Sequence, residues 1–185
     1  GVAHVIEPVV QFVWSPEEPD VLPNEDSVLV EFDQGNLFSL NRFPGSDAVE
    51  RGARANLGLS YLRDDPAGWT LGLTLGRVVR LEDLGQFTKA SGLDGIHSDW
   101  LVAGQLQFGS QMNLASRLLL GDDFGLTKGE MRLTLDGARY DLAAGYVYVV
   151  ADAAENRPSD TSELVFDGSY ALTDAWTAKL SNRYD

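Results

Sequence analysis

Ala53-Arg54-Ala55-Asn56-Leu57-Gly58-Leu59-Ser60-Tyr61-Leu62-Arg63, with Trp69-Thr70-Leu71-Gly72-Leu73-Thr74-Leu75-Gly76 just beyond it, is the stretch whose reading decides the fold. In the first half Ala55, Leu57, Leu59 and Tyr61 alternate with Arg54, Asn56, Gly58 and Ser60. In the second, Trp69, Leu71, Leu73 and Leu75 alternate with Thr70, Gly72, Thr74 and Gly76. Successive side chains of an extended chain point to opposite faces, so a period of two predicts strands with one apolar and one small or polar face. Asp64-Asp65-Pro66-Ala67-Gly68 between them has the composition of a tight turn.

The rhythm continues outward from this pair. Trp100, Val102, Leu106 and Phe108 oppose Ala103, Gln105, Gln107 and Gly109; Met112, Leu114, Leu118 and Leu120 oppose Asn113, Ala115 and Arg117. Met131, Leu133 and Leu135 oppose Glu130, Arg132, Thr134 and Asp136, and Tyr140, Leu142, Ala144, Tyr146 and Tyr148 oppose Arg139, Asp141, Ala143 and Gly145, with Val147 and Val149 out of step. Leu164, Phe166 and Tyr170 oppose Glu163, Asp167 and Ser169; Trp176, Ala178, Leu180 and Tyr184 oppose Thr177, Lys179, Ser181 and Arg183. With His4 to Val13 in front, this makes about nine strands, each near the roughly 9 to 11 residues that cross a bilayer when tilted. Connections alternate between short (64–68, 110–111, 136–137, 172–175) and long (15–52, 81–99, 121–128, 152–160), and Asp136-Gly137 predicts a two-residue hairpin.

Which solvent meets the apolar face separates two classes. A soluble β-sandwich turns that face into a dry core and covers the other with long charged side chains. Here the second face is rich in Gly, Ala, Ser, Thr, Asn and Gln, with opposite charges near one another (Arg132 and Asp136, Arg139 and Asp141), as suits a hydrated lumen. Trp69, Trp100, Tyr140, Tyr170, Trp176 and Tyr184 fall near strand ends, where an interfacial aromatic girdle places them. The expected fold is therefore all-β, an antiparallel transmembrane barrel of which residues 1–185 supply part as a single domain. Leu57, Leu59, Tyr61, Trp69, Leu71, Leu73, Leu75, Trp100, Leu133, Tyr146, Phe166 and Trp176 are expected to face lipid, and Arg54, Asn56, Thr70, Thr74, Gln105, Gln107, Arg117, Arg132, Thr134 and Lys179 the lumen.

Composition narrows the function. The formal charge of −14 repels phosphate backbones and argues against nucleic acid as a partner. Apolar runs of only a few residues exclude a spanning helix, and the absence of cysteine excludes disulfides and thiolate-bound zinc. The start at Gly1 without a visible export signal suggests a segment of a larger chain.

Segment 15–52 is far longer than an ordinary connection and carries apolar residues of its own, so it is expected to pack into the barrel mouth or lumen. Glu7-Pro8 on a strand, Pro23-Asn24-Glu25-Asp26-Ser27, and Asn36-Leu37-Phe38-Ser39-Leu40-Asn41-Arg42-Phe43-Pro44-Gly45-Ser46-Asp47 leading into Arg54 to Leu59 resemble the LptD family, the lipopolysaccharide-assembly or organic solvent tolerance proteins of the outer membrane. Within that resemblance Glu7, Pro8, Pro23, Asn24, Asp26, Asn41, Arg42, Phe43, Gly45 and Asp47 form the family-motif loop. The chain departs at Ala48, where a basic residue is expected, and lacks the cysteines that join jelly-roll to barrel in some members. The resemblance implies a bacterial outer-membrane location, lipopolysaccharide as cargo, an LptE-like lipoprotein plug in the lumen, and an LptA-like periplasmic bridge received through a jelly-roll that this chain does not contain.

Chemistry finds little foothold. His97, Ser98 and Asp99 are adjacent and cannot meet as a triad, so no catalytic residue is expected. Asp122-Asp123 reads as a solvated turn before a Ca²⁺ or Mg²⁺ site, and neither metal nor cofactor is called for. A general porin, or a soluble β-sandwich binding module, remains an alternative to lipopolysaccharide transport at this point.

Overall fold

The computed structural model describes residues 1–17, 30–45, 48–153 and 156–185. Nine strands form among them: β1 (Ala3–Ser15), β2 (Gly52–Asp65), β3 (Trp69–Arg80), β4 (Trp100–Phe108), β5 (Met112–Leu120), β6 (Leu126–Asp136), β7 (Tyr140–Val149), β8 (Thr161–Ala171) and β9 (Thr177–Tyr184), with one 3₁₀ turn at Lys89–Ser91. They build a single antiparallel sheet in chain order, β1 to β9. The sheet is not closed: β1 and β9 are its edges. An all-β fold of up-and-down strands is thus in place, and these strands alone do not complete a barrel.

Register follows the alternation. Asn56 stands opposite Val78 and Gln11, Thr74 opposite Ser60 and Ala103, and Arg117 opposite Ala103 and Glu130, so these residues share one face. Leu71, Leu106, Leu114, Leu133, Ala144 and Phe166 run in one row across the other. A single hollow is lined from Glu7 on β1 to Asp167 on β8, so the sheet curls and the polar face is the concave one.

Four details depart from the sequence reading. The turn after β6 is not a two-residue hairpin. Gly137 lacks a positive φ and donates its N–H to the Tyr140 carbonyl at 2.8 Å, closing a longer loop. Glycine is needed there because the Tyr140 ring lies over it, 2.4 Å from where a Cβ would stand. Arg139 does not pair with Asp141: it donates to the carbonyls of Ala171 and Leu172, and Asp141 accepts from Ser169. Trp176 precedes β9 and sits exposed in the turn, its N–H donated to the Thr173 carbonyl. The connection before β6 is also shorter than expected, because β6 begins at Leu126.

The buried core does not lie between two sheets. It consists of Phe32, Leu37, Val78, Leu93, Leu101 and Leu119, with Val30, Phe38 and Phe87 against them. Val78, Leu101 and Leu119 are apolar residues on the concave face, and they break the alternation at the end of the sheet carrying the long loops. They do so because two loop segments, 30–50 and 81–99, cover them there. Phe32 bonds the Ser91 carbonyl through its N–H (2.9 Å), Ser98 and Arg80 tie residues 96–98 to β3, and Leu37 enters over Gly58 and Gly76. We call the described part of segment 30–50 the strap.

The strap's fit against β3 gives a direct expectation. A Cβ on Gly76 would stand 2.5 Å from Leu37 Cδ2 and 2.8 Å from Cδ1, and Leu37 is itself fully buried against the core. Gly76→Ala should therefore overpack the contact and cost about 1–3 kcal/mol. Gly72 faces open space on the same strand, so Gly72→Ala is the control and should cost far less. Comparative denaturation of the two variants in detergent checks this.

Candidate functional site: the concave trough and its strap

Alternation places two kinds of surface back to back. On the convex face no second layer of the described chain covers the middle of the apolar rows, and Val10, Leu59, Leu73, Met131, Leu164 and Leu180 are all exposed. Exposed large apolar side chains in continuous rows from β1 to β9 differ from the scattered single residues usual on water-soluble monomers. Both ends of this face carry aromatic rings paired with cations. Arg63 lies 4.5 Å over Trp69, which packs beside Phe108, at the short-turn end. At the long-loop end Arg77 lies 4.8 Å over Trp100, which stacks on Phe124, while Arg77 also pairs with Asp122. His4 adds a further ring beside them at the short-turn end through a 2.9 Å hydrogen bond with the Tyr61 hydroxyl.

On the concave face a trough of about 900 Å³ is lined by Glu7, Ser60, Thr74, Gln105, Arg117, Glu130, Arg132 and Asp167. Val5, Leu62, Val147 and Val165 add apolar patches to its wall. The strap supplies its remaining wall through Asp33 and Gln34.

Two ionic clusters hold the strap. The first is buried around Glu50, whose carboxylate is fully enclosed. Arg42 Nη1 donates to both Glu50 oxygens, at 2.9 and 2.7 Å, and Arg80 Nη2 donates at 3.1 Å. Arg54 Nε stands 3.4 Å from Glu50 Oε1, an ion pair without hydrogen-bond geometry. Arg42 continues to the Leu37 carbonyl and to Asn56 Oδ1, and Asn56 donates to Gln11 on β1, so the network spans strap and three strands. Arg80 Nη1 reaches the carbonyls of Leu93 and Gly95, which anchors the second loop to the same point. Burial pushes the Arg42 guanidinium down from its ordinary value, while Glu50 pulls it back toward it.

The second cluster joins the strap's exposed Glu31 and half-buried Asp33 to Arg117 on β5 and to the buried Lys128 and half-buried Glu130 on β6. Arg117 bonds Glu130 at 2.7 Å and Glu31 at 3.2 Å, with Asp33 at 3.5 Å; Lys128 pairs with Glu31, and with Glu130 at 3.6 Å. Burial pushes the Glu31 carboxyl up, but Lys128 and Arg117 together outweigh it and hold it below the ordinary carboxylate value.

The motif-loop residues thus divide by place. Glu7 lines the trough. Pro8 belongs to the edge strand β1, where a residue lacking an N–H is tolerated. Asn41 closes the turn that follows it: its Oδ1 accepts from the N–H groups of Phe43 and Glu50, and its Nδ2 donates to Ala48. Arg42 enters the buried cluster, Phe43 stacks on Phe87 at 5.0 Å, and Gly45 is half-buried. Pro23, Asn24, Asp26 and Asp47 lie outside the described residues. Leu57, Leu59, Tyr61, Trp69, Leu71, Leu73, Leu75, Trp100, Leu133, Tyr146 and Phe166 share the convex face by register, and Arg54, Asn56, Thr70, Thr74, Gln105, Gln107, Arg117, Arg132, Thr134 and Lys179 the concave one.

Sequence reasoning missed Glu50, Arg80 and Lys128. Their signal was indirect: Val78, Leu101 and Leu119 disturb the period of two just where a covering loop must sit. Ser98 is spent on scaffolding, its hydroxyl donating to the Asp99 carbonyl and accepting from the Val78 N–H. Among the described residues no group of three His, Cys, Asp or Glu side chains could hold a metal ion, and Asp123 caps its own turn through the Gly125 N–H.

No curated protein sequence matches the chain. The family model described as LPS transport system D matches residues 1–176 of 185. With a sheet of nine antiparallel strands and that match running from β1 through β8 and stopping just before β9, the chain belongs to the LptD family, a transport and assembly family of the outer membrane.

Proposed function

We propose that the chain forms part of the barrel wall of a lipopolysaccharide translocon in the bacterial outer membrane. The observation that carries this reading is the sheet's two-sidedness: a polar, charged trough on one face and a continuous uncovered apolar surface with aromatic margins on the other. A glycolipid needs both environments, water for its saccharide and hydrocarbon for its acyl chains. The concave face carries the saccharide, and the convex rows Leu57, Leu59, Leu73, Leu133 and Phe166 meet lipid. The long-loop end, with the strap, faces outward. An LptE-like lipoprotein occupies the lumen of the whole barrel, and an LptA-like bridge delivers cargo through a jelly-roll on another part of the protein.

Depleting the full-length protein should strip newly made lipopolysaccharide from the cell surface, as read by surface labelling. A photo-crosslinking residue at Thr74, on the trough wall, should capture lipopolysaccharide while one at Leu75 captures ordinary membrane lipid. Unchanged surface lipopolysaccharide after depletion overturns the reading. High ion conductance of the purified protein in planar bilayers would instead favour an open porin.

A further inference from the structure

The strap's two attachments differ in kind. The Glu50 cluster is sealed, with Arg42 and Glu50 side chains at 0% exposure, whereas the Glu31 and Asp33 side chains at the other attachment are 50% and 38% exposed. The open attachment also borders the trough, because Asp33, Arg117 and Glu130 all line it. One end of the strap is therefore fixed and the other reaches solvent at the edge of the passage.

The charge at that open end is unusual for this chain. Acids outnumber bases 28 to 14, yet Arg117 on β5 and Lys128 on β6 converge on the same carboxylates, with Arg132 further along the same face of β6. With the strap docked, the two cations Arg117 and Lys128 face the three carboxylates of Glu31, Asp33 and Glu130. Withdraw the strap and the same two cations face Glu130 alone, with Arg132 next along the wall. The strap thus supplies the very groups that cancel a cationic patch. Its two carboxylates are presented from one short segment, as the charges of a phosphorylated or acidic sugar would be.

We infer that Arg117 and Lys128 form a binding site for the phosphate or carboxylate of an anionic glycolipid headgroup, and that Glu31 and Asp33 occupy this site as a displaceable substitute. The inference rests on the transport reading for the identity of the headgroup. An incoming anion exchanges with the strap's carboxylates, so the latch releases as cargo arrives and closes again behind it. Charge is conserved at the patch throughout, which keeps the two cations from facing the passage unpaired. The Glu50 cluster holds the strap's other end during this exchange.

The test uses the full-length protein in detergent, with hydrogen exchange of residues 30–38 as the readout, since the Phe32 N–H bonds the Ser91 carbonyl only while the strap is docked. Lipopolysaccharide and inorganic pyrophosphate should each speed this exchange several-fold, and maltose should not. E31Q/D33N removes the competitor and should bind pyrophosphate at least three-fold more tightly. R117Q/K128Q should abolish the response while residues 89–93, held by Arg80 and β3, keep native protection. Should that variant fail to fold, the E31Q/D33N titration decides by itself. If pyrophosphate loosens the strap but lipopolysaccharide does not bind, the site stands and the transport reading falls. If lipopolysaccharide binds without changing exchange at 30–38, or if E31Q/D33N binds pyrophosphate no more tightly than the native protein, the inference is overturned.

Discussion

Glu50→Gln is expected to release the strap while leaving the strands paired. Among the described residues Glu50 is the one carboxylate paired with Arg42, Arg54 and Arg80 in their buried cluster, and all four residues are at most 5% exposed. Removing its charge leaves three guanidiniums out of water and repelling one another. Breaking a buried pair in this way costs about 3–5 kcal/mol, because the surviving charge is stranded. The loss falls on the strap and the 81–99 loop, since Arg42 and Arg80 are what join them to β2 and β3. Exchange at residues 30–38 and 89–95 should rise on the order of a hundred-fold or more, while the amides of β5 to β8 stay protected. Adding Arg80→Met to the variant should recover part of the protection by removing one of the mutually repelling cations. Unaltered exchange in the single variant would show that the strap is held by its apolar contacts and not by this cluster.

Leu73→Arg and Thr74→Arg form the second large contrast. The two residues are neighbours near the middle of β3, but register puts Leu73 in the convex row beside Tyr61 and Thr74 in the trough wall beside Ser60 and Ala103. An arginine held toward lipid near the bilayer centre costs about 2–4 kcal/mol in a barrel, while one facing the wet interior is tolerated far better. Leu73→Arg should therefore destabilise folding into lipid vesicles by that amount, measured by urea titration of the full-length protein. Thr74→Arg should change it by less than about 1 kcal/mol. The reverse order would mean that the concave face is a dry core and would remove the membrane assignment.

The strands were legible because their cause is local. Side-chain direction alternates in any extended backbone, so Leu71, Leu73 and Leu75 against Gly72, Thr74 and Gly76 must take opposite faces whatever lies around them. The face shared by Gln105, Arg117 and Arg132 followed from the same parity. The turn after Asp136 was misread because Asp-Gly favours a tight hairpin in isolation, whereas the Tyr140 ring packing over Gly137 selected a longer loop.

Segment 30–50 was legible only as an exception. Its length and apolar content showed that it must pack somewhere, and Arg42 was singled out on resemblance alone. That Arg42 meets Glu50, Arg54 and Arg80 could not be read from spacing, for Arg42 and Arg80 lie on separate loop and strand segments and meet at Glu50 only once the strap packs over β2 and β3. The sequence by itself determined the period of two, hence the strands, their order of facing and the division into greasy and wet surfaces. Tertiary structure alone decided where the strap lies and which charges it brings together, because those contacts join residues distant in the chain, and no local rule of geometry couples them.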